Sequence, residues 1–316
     1  VAIRDQLRAL GGRAGRTRRG RRDNPVVPEL PEVETIRRQL EPRLAGRRII
    51  DAGCFASPKF EDAPLAVGAT VTSLRRRGKY LLARLGGQAE IGLASMPDAE
   101  VPATDLELVV HLGMTGRLGV VTAAELRRSA EPARSADHLR AWWELDDGAT
   151  LTFHDTRRFG RVAVVPAGDH RSLTTLHHLG PEPFDDAFSA DALRSSLRGR
   201  RAVKTVLLAQ RAVAGVGNIY ADEALWLAGI DPRARRLGAD RAARLRDAVR
   251  EVLAEGIAHG GTTLRDYRDA AGSEGSHQHA LRCYGRAGSP CSVCGTTMRS
   301  TLLDARRTTW CPSCQR

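Results

Sequence analysis

Val33, Ile36, Leu40 and Leu44 recur at spacings of three and four, the period of one helix face. Pro31 suits the first helical position, and Glu32 and Glu34 suit the first turn, near the positive end of the helix dipole. From Ile49 to about Val165 that period gives way to short runs such as Lys79–Leu85, Leu106–Leu112, Ala141–Leu145, Thr150–Phe153 and Val162–Val165. Polar stretches bearing Gly or Pro, notably Gly86–Thr104 and Thr122–Asp137, separate these runs. They predict antiparallel strands in a sandwich or barrel, with one helix laid against it. Past about Leu173 the helical period returns, and Ala190–Ala258 reads as helices broken at Gly215–Asn218 and at Gly229–Pro232. The expected fold class is α+β: an N-terminal antiparallel β-sandwich with a helix over 28–166, a helical domain over 167–284 entered through a linker at about 167–182, and a small cysteine-bearing module over 285–316.

Composition narrows the class of function. At 316 residues and 42% hydrophobic content the chain is long enough for two cores and too apolar for wholesale disorder. No apolar run reaches the length of a membrane span. A formal net charge of +12 points to a polyanionic partner, nucleic acid foremost, although basic surfaces also meet membranes and acidic proteins. Only Lys59, Lys79 and Lys204 are lysines, and every other basic residue is Arg. Where Arg supplies generic charge, a retained ammonium marks a position where its compact geometry is required.

Half of that net charge lies in residues 1–27, where eight arginines face Asp5 and Asp23. This segment reads as a basic arm gripping phosphates, as an Arg-rich transit peptide, or as sequence upstream of the working start. Val27 stands immediately before Pro28, and Val is the literal reading of a GUG start codon, so Val27 is the expected initiator.

Cys291, Cys294, Cys311 and Cys314 form a C-x2-C-x16-C-x2-C pattern, the spacing of a four-thiolate Zn2+ site. A pair of disulfides or redox motifs is the competing reading. Arg299, Arg306 and Arg307 lie between the knuckles, on a hairpin suited to probing a DNA groove. A zinc ribbon serving protein contact remains the bland alternative. Cys54 and Cys283 fall outside the spacing and read as ordinary reduced thiols.

Five motifs occur in order: Pro28–Leu40, His111-Leu112-Gly113-Met114-Thr115-Gly116, Arg157-Arg158-Phe159-Gly160, Gly215–Tyr220 and the terminal cysteine pairs. Together they resemble the formamidopyrimidine-DNA glycosylase/endonuclease VIII family of base-excision repair enzymes, over about Pro28 to Gln315. The resemblance implies that the helical part is a helix-two-turn-helix domain. It also implies that the amine of Pro28, once N-terminal, is the catalytic nucleophile. A secondary amine attacking sugar C1′ yields an iminium that cannot be neutralised by deprotonation at nitrogen, hence a good electron sink for β-elimination.

By the same resemblance Glu29 is the general acid/base, Lys79 contacts the phosphate beside the lesion, and Glu32 and Glu223 support the site. Taken alone, Glu29 reads as a first-turn carboxylate favouring the helix dipole. Met114, Arg157 and Phe159 match a trio that fills the stack vacated by an extruded nucleotide; without that context Met114 and Phe159 read as core. His111, Lys204, Asn218 and Arg306 match DNA-contacting positions. Lys59 matches none.

Gly261–Leu264 and Tyr284–Arg286 bracket a loop like that of the purine-specific branch, so the expected substrates are oxidised purines such as 8-oxoguanine and formamidopyrimidines. Two departures stand out: Thr156 where relatives often carry Pro, and Ser276-His277 where they often carry an aromatic residue after the Gly275 position. The expected protein is a monomeric, bifunctional glycosylase/AP lyase working by β- or β,δ-elimination on double-stranded DNA with damaged bases or abasic sites, bacterial, cytoplasmic and nucleoid-associated when acting. An endonuclease VIII-like pyrimidine glycosylase and a catalytically silent damaged-DNA binder are the alternatives.

Overall fold

The computed structural model describes residues 27–87, 105–122 and 138–316. Most of the two polar stretches at Gly86–Thr104 and Thr122–Asp137, and all of the N-terminal segment before Val27, lie outside the described residues.

Helix α1 spans Leu30–Leu44 and buries all four residues of the sequence periodicity, Val33, Ile36, Leu40 and Leu44. It packs on two four-stranded antiparallel sheets. The strands are β1 (Ile49–Cys54), β2 (Thr70–Arg77), β3 (Tyr80–Gly86), β4 (Leu106–His111), β5 (Gly116–Val121), β6 (Leu139–Leu145), β7 (Thr150–Asp155) and β8 (Arg161–Pro166). One sheet runs β1-β6-β7-β5 and the other β2-β3-β4-β8.

The core between them takes Val71, Leu74, Leu81, Ala83, Leu85, Leu108 and Val110 from one sheet, and Leu118, Trp143, Leu145, Leu151 and Phe153 from the other. Strand β3 lacks the alternation of a half-exposed strand because both its faces are covered. Its Tyr80 and Leu82 point to a second cluster with Val109, Ala163, Leu173 and Leu176. The expected linker is therefore not a free tether: helix α2 (Thr174–His177) and Leu173 dock on the outer sheet face.

The helical half contains α3 (Ala190–Ser196), α4 (Val203–Leu208), α5 (Asn218–Leu227) and α6 (Ala239–Ala258). Helix α6 is amphipathic, burying Ala242, Leu245, Val249, Val252 and Leu253 at helical spacing. Helix α5 differs, for every residue from Ile219 to Trp226 is buried, Asp222 and Glu223 included. A helix wrapped on all sides must find partners for its polar groups within the protein, and those partners organise the site.

The C-terminal hairpin pairs β9 (Arg299–Leu303) with β10 (Arg306–Trp310). Asp304 and Ala305 connect them, both at positive φ, as a two-residue turn matched to strand twist requires.

Candidate active site and nucleic-acid interface

Glu29 immediately precedes α1, yet its carboxylate serves the N-terminus of another helix. Its oxygens accept the N–H groups of Gly217 at 2.7 Å, Ile219 at 2.8 Å and Tyr220 at 3.4 Å, the orphan donors at the start of α5. Sequence reasoning anticipated a carboxylate at a helix dipole, but the helix lies 188 residues on. The join is tight. The Leu30 N–H donates to Gly215 O at 3.1 Å, and a Cβ at Gly217 would sit 2.3 Å from Glu29 Cδ. Glycine at 217 is thus dictated by approach, since its backbone is ordinary extended chain.

Glu32 lies behind Glu29. It accepts from the Glu29 N–H at 2.8 Å, the Thr262 N–H at 2.6 Å and the Tyr220 hydroxyl at 2.9 Å. Burial, and then the neighbouring Glu29, push its carboxyl up to about 7, against the pull of those donors. Burial raises Glu29 as well, opposed first by Lys79 and then by the α5 amides. Two adjacent raised carboxyls titrate as a pair, so a protonated acid is available near neutral pH.

Lys79 stands at the Arg77-Gly78-Lys79 turn between β2 and β3. Burial lowers its pKa, Glu29 and Glu32 raise it, and Arg306 lowers it again. The turn is clamped by Glu182, which sequence reasoning missed. Its carboxylate accepts the Gly78 N–H at 2.7 Å, Arg76 at 2.6 Å and Arg77 at 3.0 Å. A carboxylate in a linker carries no motif, so only the docking of that linker exposes its role.

Glu29, Lys79, His111, Phe159, Asn218 and Arg306 line a single cleft of about 470 Å³. Tyr80, Gln210, Tyr284 and Val27 share its walls. His111 is held neutral, its pKa pulled down to about 4 by burial and then by Lys79. Its Nδ1 accepts the Gly113 N–H at 3.1 Å, leaving Nε2–H as the ring's donor. Asn218 donates from its side-chain amide to Arg307 O at 3.1 Å, tying the start of α5 to the hairpin that carries Arg306.

Arg157 and Phe159 lie on the β7–β8 loop, and Met114 on the β4–β5 turn. The two loops meet backbone to backbone: Gly113, at φ +66, has Gly160 N only 2.4 Å from where a Cβ would stand. Asp155, fully buried, holds them together through Thr115 Oγ1 at 2.5 Å, the Arg157 N–H at 3.2 Å and the Gly160 N–H at 2.7 Å. Phe159 remains 50% exposed at the cleft mouth, so it is not the core residue that hydropathy alone suggests.

Lys204 and Glu223 are buried and do not line the cleft. Lys204 is 0% exposed, behind the cleft wall. Its ammonium lies 2.7 Å from Asp222 and donates to Thr308 Oγ1 at 2.9 Å and Arg307 O at 3.2 Å. A buried ammonium must be paired in this way, and the consequence is a cation committed to the hairpin rather than presented to a ligand. Glu223 also faces away from the cleft. Its carboxylate accepts the N–H groups of Arg282, Cys283 and Tyr284 at 2.9, 2.8 and 2.7 Å, so it fixes the segment that carries Tyr284 into the cleft wall.

The four cysteine sulfurs lie within 4.8 Å of one another. Cys291 and Cys314 are 3.9 Å apart, and Cys294 and Cys311 3.4 Å apart. A tetrahedral site with metal–sulfur bonds near 2.3 Å spaces its sulfurs by about 3.8 Å, so the cluster fits a metal ion and the cysteines are not disulfide-bonded. Cys283 lies outside the cluster, donating to Thr309 O at 3.1 Å.

The residues around the cleft come from stretches far apart in the chain, and the chain as a whole is similar to known proteins. Residues 27–162 match the formamidopyrimidine-DNA glycosylase N-terminal domain, and residues 179–268 match the formamidopyrimidine-DNA glycosylase H2TH domain. The chain belongs to the formamidopyrimidine-DNA glycosylase family. The formamidopyrimidine-DNA glycosylase of Deinococcus radiodurans is 42% identical over 293 residues, spanning 92% of this chain and 97% of its own. The crystal structure of MutM (Fpg) from Thermus thermophilus superposes with a TM-score of 0.77 at 39% identity, covering 91% of this chain and 98% of that one. A Lactococcus lactis Fpg variant, solved in complex with a Fapy-dG containing DNA, superposes with a TM-score of 0.76 at 32% identity over 92% of this chain and 100% of its own. Among the described residues, no helix is long and apolar enough to cross a membrane.

Proposed function

We propose that this member of the family is a bifunctional DNA glycosylase/AP lyase that excises oxidised purines, 8-oxoguanine and formamidopyrimidines among them, from double-stranded DNA. The observation that carries the reading is the convergence of Glu29, Lys79, Asn218 and Arg306 on one cleft that Val27 and Glu29, the chain neighbours of Pro28, also line. A raised carboxyl, a lysine and the donors of a helix N-terminus there can serve a sugar-phosphate whose base has been extruded.

In this reading the amine of Pro28, freed of Val27, attacks C1′ and the bond to the damaged base breaks. The resulting iminium draws electrons from the C1′–C2′ side, and loss of a C2′ proton expels the 3′-phosphate. Glu29, its carboxyl raised by burial, protonates the opened sugar oxygen or the departing base. Lys79, Asn218 and Arg306 hold the flanking phosphates. Met114, Arg157 and Phe159 fill the vacated stack. Zn2+ on Cys291, Cys294, Cys311 and Cys314 holds the hairpin that carries Arg306; such binding contributes on the order of 10–16 kcal/mol to folding a small module. The domains implied are 28–166, 167–284 and 285–316, in a monomer acting on DNA in the bacterial cytoplasm.

One observation favours a second reading, that of a silent damaged-DNA binder. With Val27 attached, the nitrogen of Pro28 is a tertiary amide and has no lone pair for attack. The test is excision from duplexes carrying 8-oxoguanine, formamidopyrimidine or an oxidised pyrimidine, by protein whose N-terminal residue is Pro28. Faster excision of the two purines is expected. Preferential excision of the pyrimidine supports the endonuclease VIII-like alternative, and tight binding without excision supports the silent binder.

A further inference from the structure

Lys59 is the lysine without a counterpart among the motifs, and its position gives it a task. It lies between β1 and the short 3₁₀ turn at Ala63–Ala66, with its carbonyl accepting the Val162 N–H at 2.8 Å from the start of β8. From this anchor the exposed side chain reaches along the cleft rim to the tip of the β7–β8 loop. There Nζ donates to the carbonyl of Arg158 at 2.8 Å. It also stands 5.8 Å from the ring centroid of Phe159, with the Arg157 guanidinium carbon 5.0 Å from the same ring.

The contact falls where the loop needs it. Arg158 has φ 57, a left-handed conformation for a residue with a side chain, which is strained and persists only when its surroundings impose it. Asp155 secures the N–H groups of Arg157 and Gly160 on either side. The peptide between them, Arg158–Phe159, is the part that Lys59 holds. Phe159 stands half exposed beside the cleft that Glu29 and Lys79 line, and an aromatic ring aimed this way can enter a base stack only if its backbone is already set.

We propose that Lys59 is a positioning residue that locks the Arg158–Phe159 tip, so that Phe159 is pre-set to enter DNA. The proposal rests on the reading of the protein as a damaged-DNA enzyme. Binding rather than cleavage tests it, which makes the state of Pro28 irrelevant and allows use of the full chain. The probe is a duplex with a tetrahydrofuran abasic analogue and 2-aminopurine opposite it, whose fluorescence reports loss of stacking in stopped flow. Lys59→Met should slow the fluorescence change by about tenfold, with equilibrium affinity within threefold of wild type and an unchanged melting temperature; pre-organisation worth about 1.4 kcal/mol corresponds to that factor. Lys59→Arg, which keeps a donor and a cation over the ring, should recover the rate to within threefold. Opening by Lys59→Met at the wild-type rate overturns the proposal. So does an affinity loss with the opening rate intact, which would make Lys59 a phosphate contact. Absence of any fluorescence change with the wild-type chain would remove the damaged-DNA reading, and the proposal with it.

Discussion

Replacing Lys204 by Met separates two accounts of this residue, a DNA contact or a buried strut. Lys204 and Asp222 are 0% and 1% exposed with 2.7 Å between charges. Removing one partner of such a pair leaves an uncompensated buried charge, at a cost of about 3–5 kcal/mol. For a protein of this size that lowers the melting temperature by roughly 6–15 °C. The cost should depend on pH in a defined direction. Asp222 is raised to about 6 by burial, with Lys204 pulling it back. A raised carboxyl contributes stability that is full below its unfolded pKa and lost as pH rises through its folded one. Near pH 5 the wild-type carboxyl is already largely protonated and Lys204 has little to pair with, so the penalty should be smaller there than at pH 8. Lys204 also holds Arg307 O and Thr308 Oγ1, so DNA affinity should fall together with stability. Lys204→Met/Asp222→Asn, which removes the orphaned charge while keeping an acceptor for the Thr309 N–H now 3.0 Å from Asp222, should recover at least half of both losses. The assays are chemical denaturation at pH 5 and 8, and fluorescence anisotropy with duplex DNA. Wild-type stability combined with a tenfold loss of DNA affinity in Lys204→Met would refute the strut and restore the DNA contact.

Three further outcomes follow from the same geometry. Gly217→Ala places a methyl 2.3 Å from Glu29 Cδ; excision should fall about 100-fold, the scale of a displaced general acid, while overpacking costs only about 1–3 kcal/mol in a melting experiment. In Lys79→Met the cation that lowers the Glu29 carboxyl is gone, so Glu29 keeps its proton to higher pH; the alkaline limb of single-turnover excision should move up in pH, and a limb that stays put or moves acidward contradicts that coupling. Stripping the metal from the cysteine cluster should disorder the hairpin carrying Arg306 and weaken DNA binding at least tenfold, reversibly on adding Zn2+; metal-free protein with full affinity would contradict the role assigned to the module.

The architecture was legible wherever periodicity was clean. Val33, Ile36, Leu40 and Leu44 marked α1, and the strand runs from Lys79, Leu106, Thr150 and Val162 fell on real strands because one face of each meets the inter-sheet core. The cysteine spacing was equally readable, since two knuckles need no knowledge of the rest of the fold. What the pattern could not convey is which polar groups are turned inward. Helix α5 reads as one apolar helix, yet Tyr220, Asp222 and Glu223 on it bind Glu32, the cysteine hairpin and the 282–284 segment respectively. Those contacts span 59 to 188 residues of sequence, beyond any local signal. The same limit hides from sequence that Lys204 and Glu223 are buried among inward-facing partners, and it is why Asp155 and Glu182 were not singled out. A buried carboxylate that accepts backbone N–H groups looks, in sequence, like any other Asp or Glu.

Pro28, once it is the N-terminal residue, should form a Schiff base with DNA from which a lesion has been removed. Borohydride trapping on an 8-oxoguanine duplex, followed by mass mapping of the adducted peptide, tests it directly. A reduced covalent adduct on Pro28 is expected when the chain begins there, and none when Val27 still acylates it. An adduct on a lysine, or no adduct from the correctly processed chain, would contradict it.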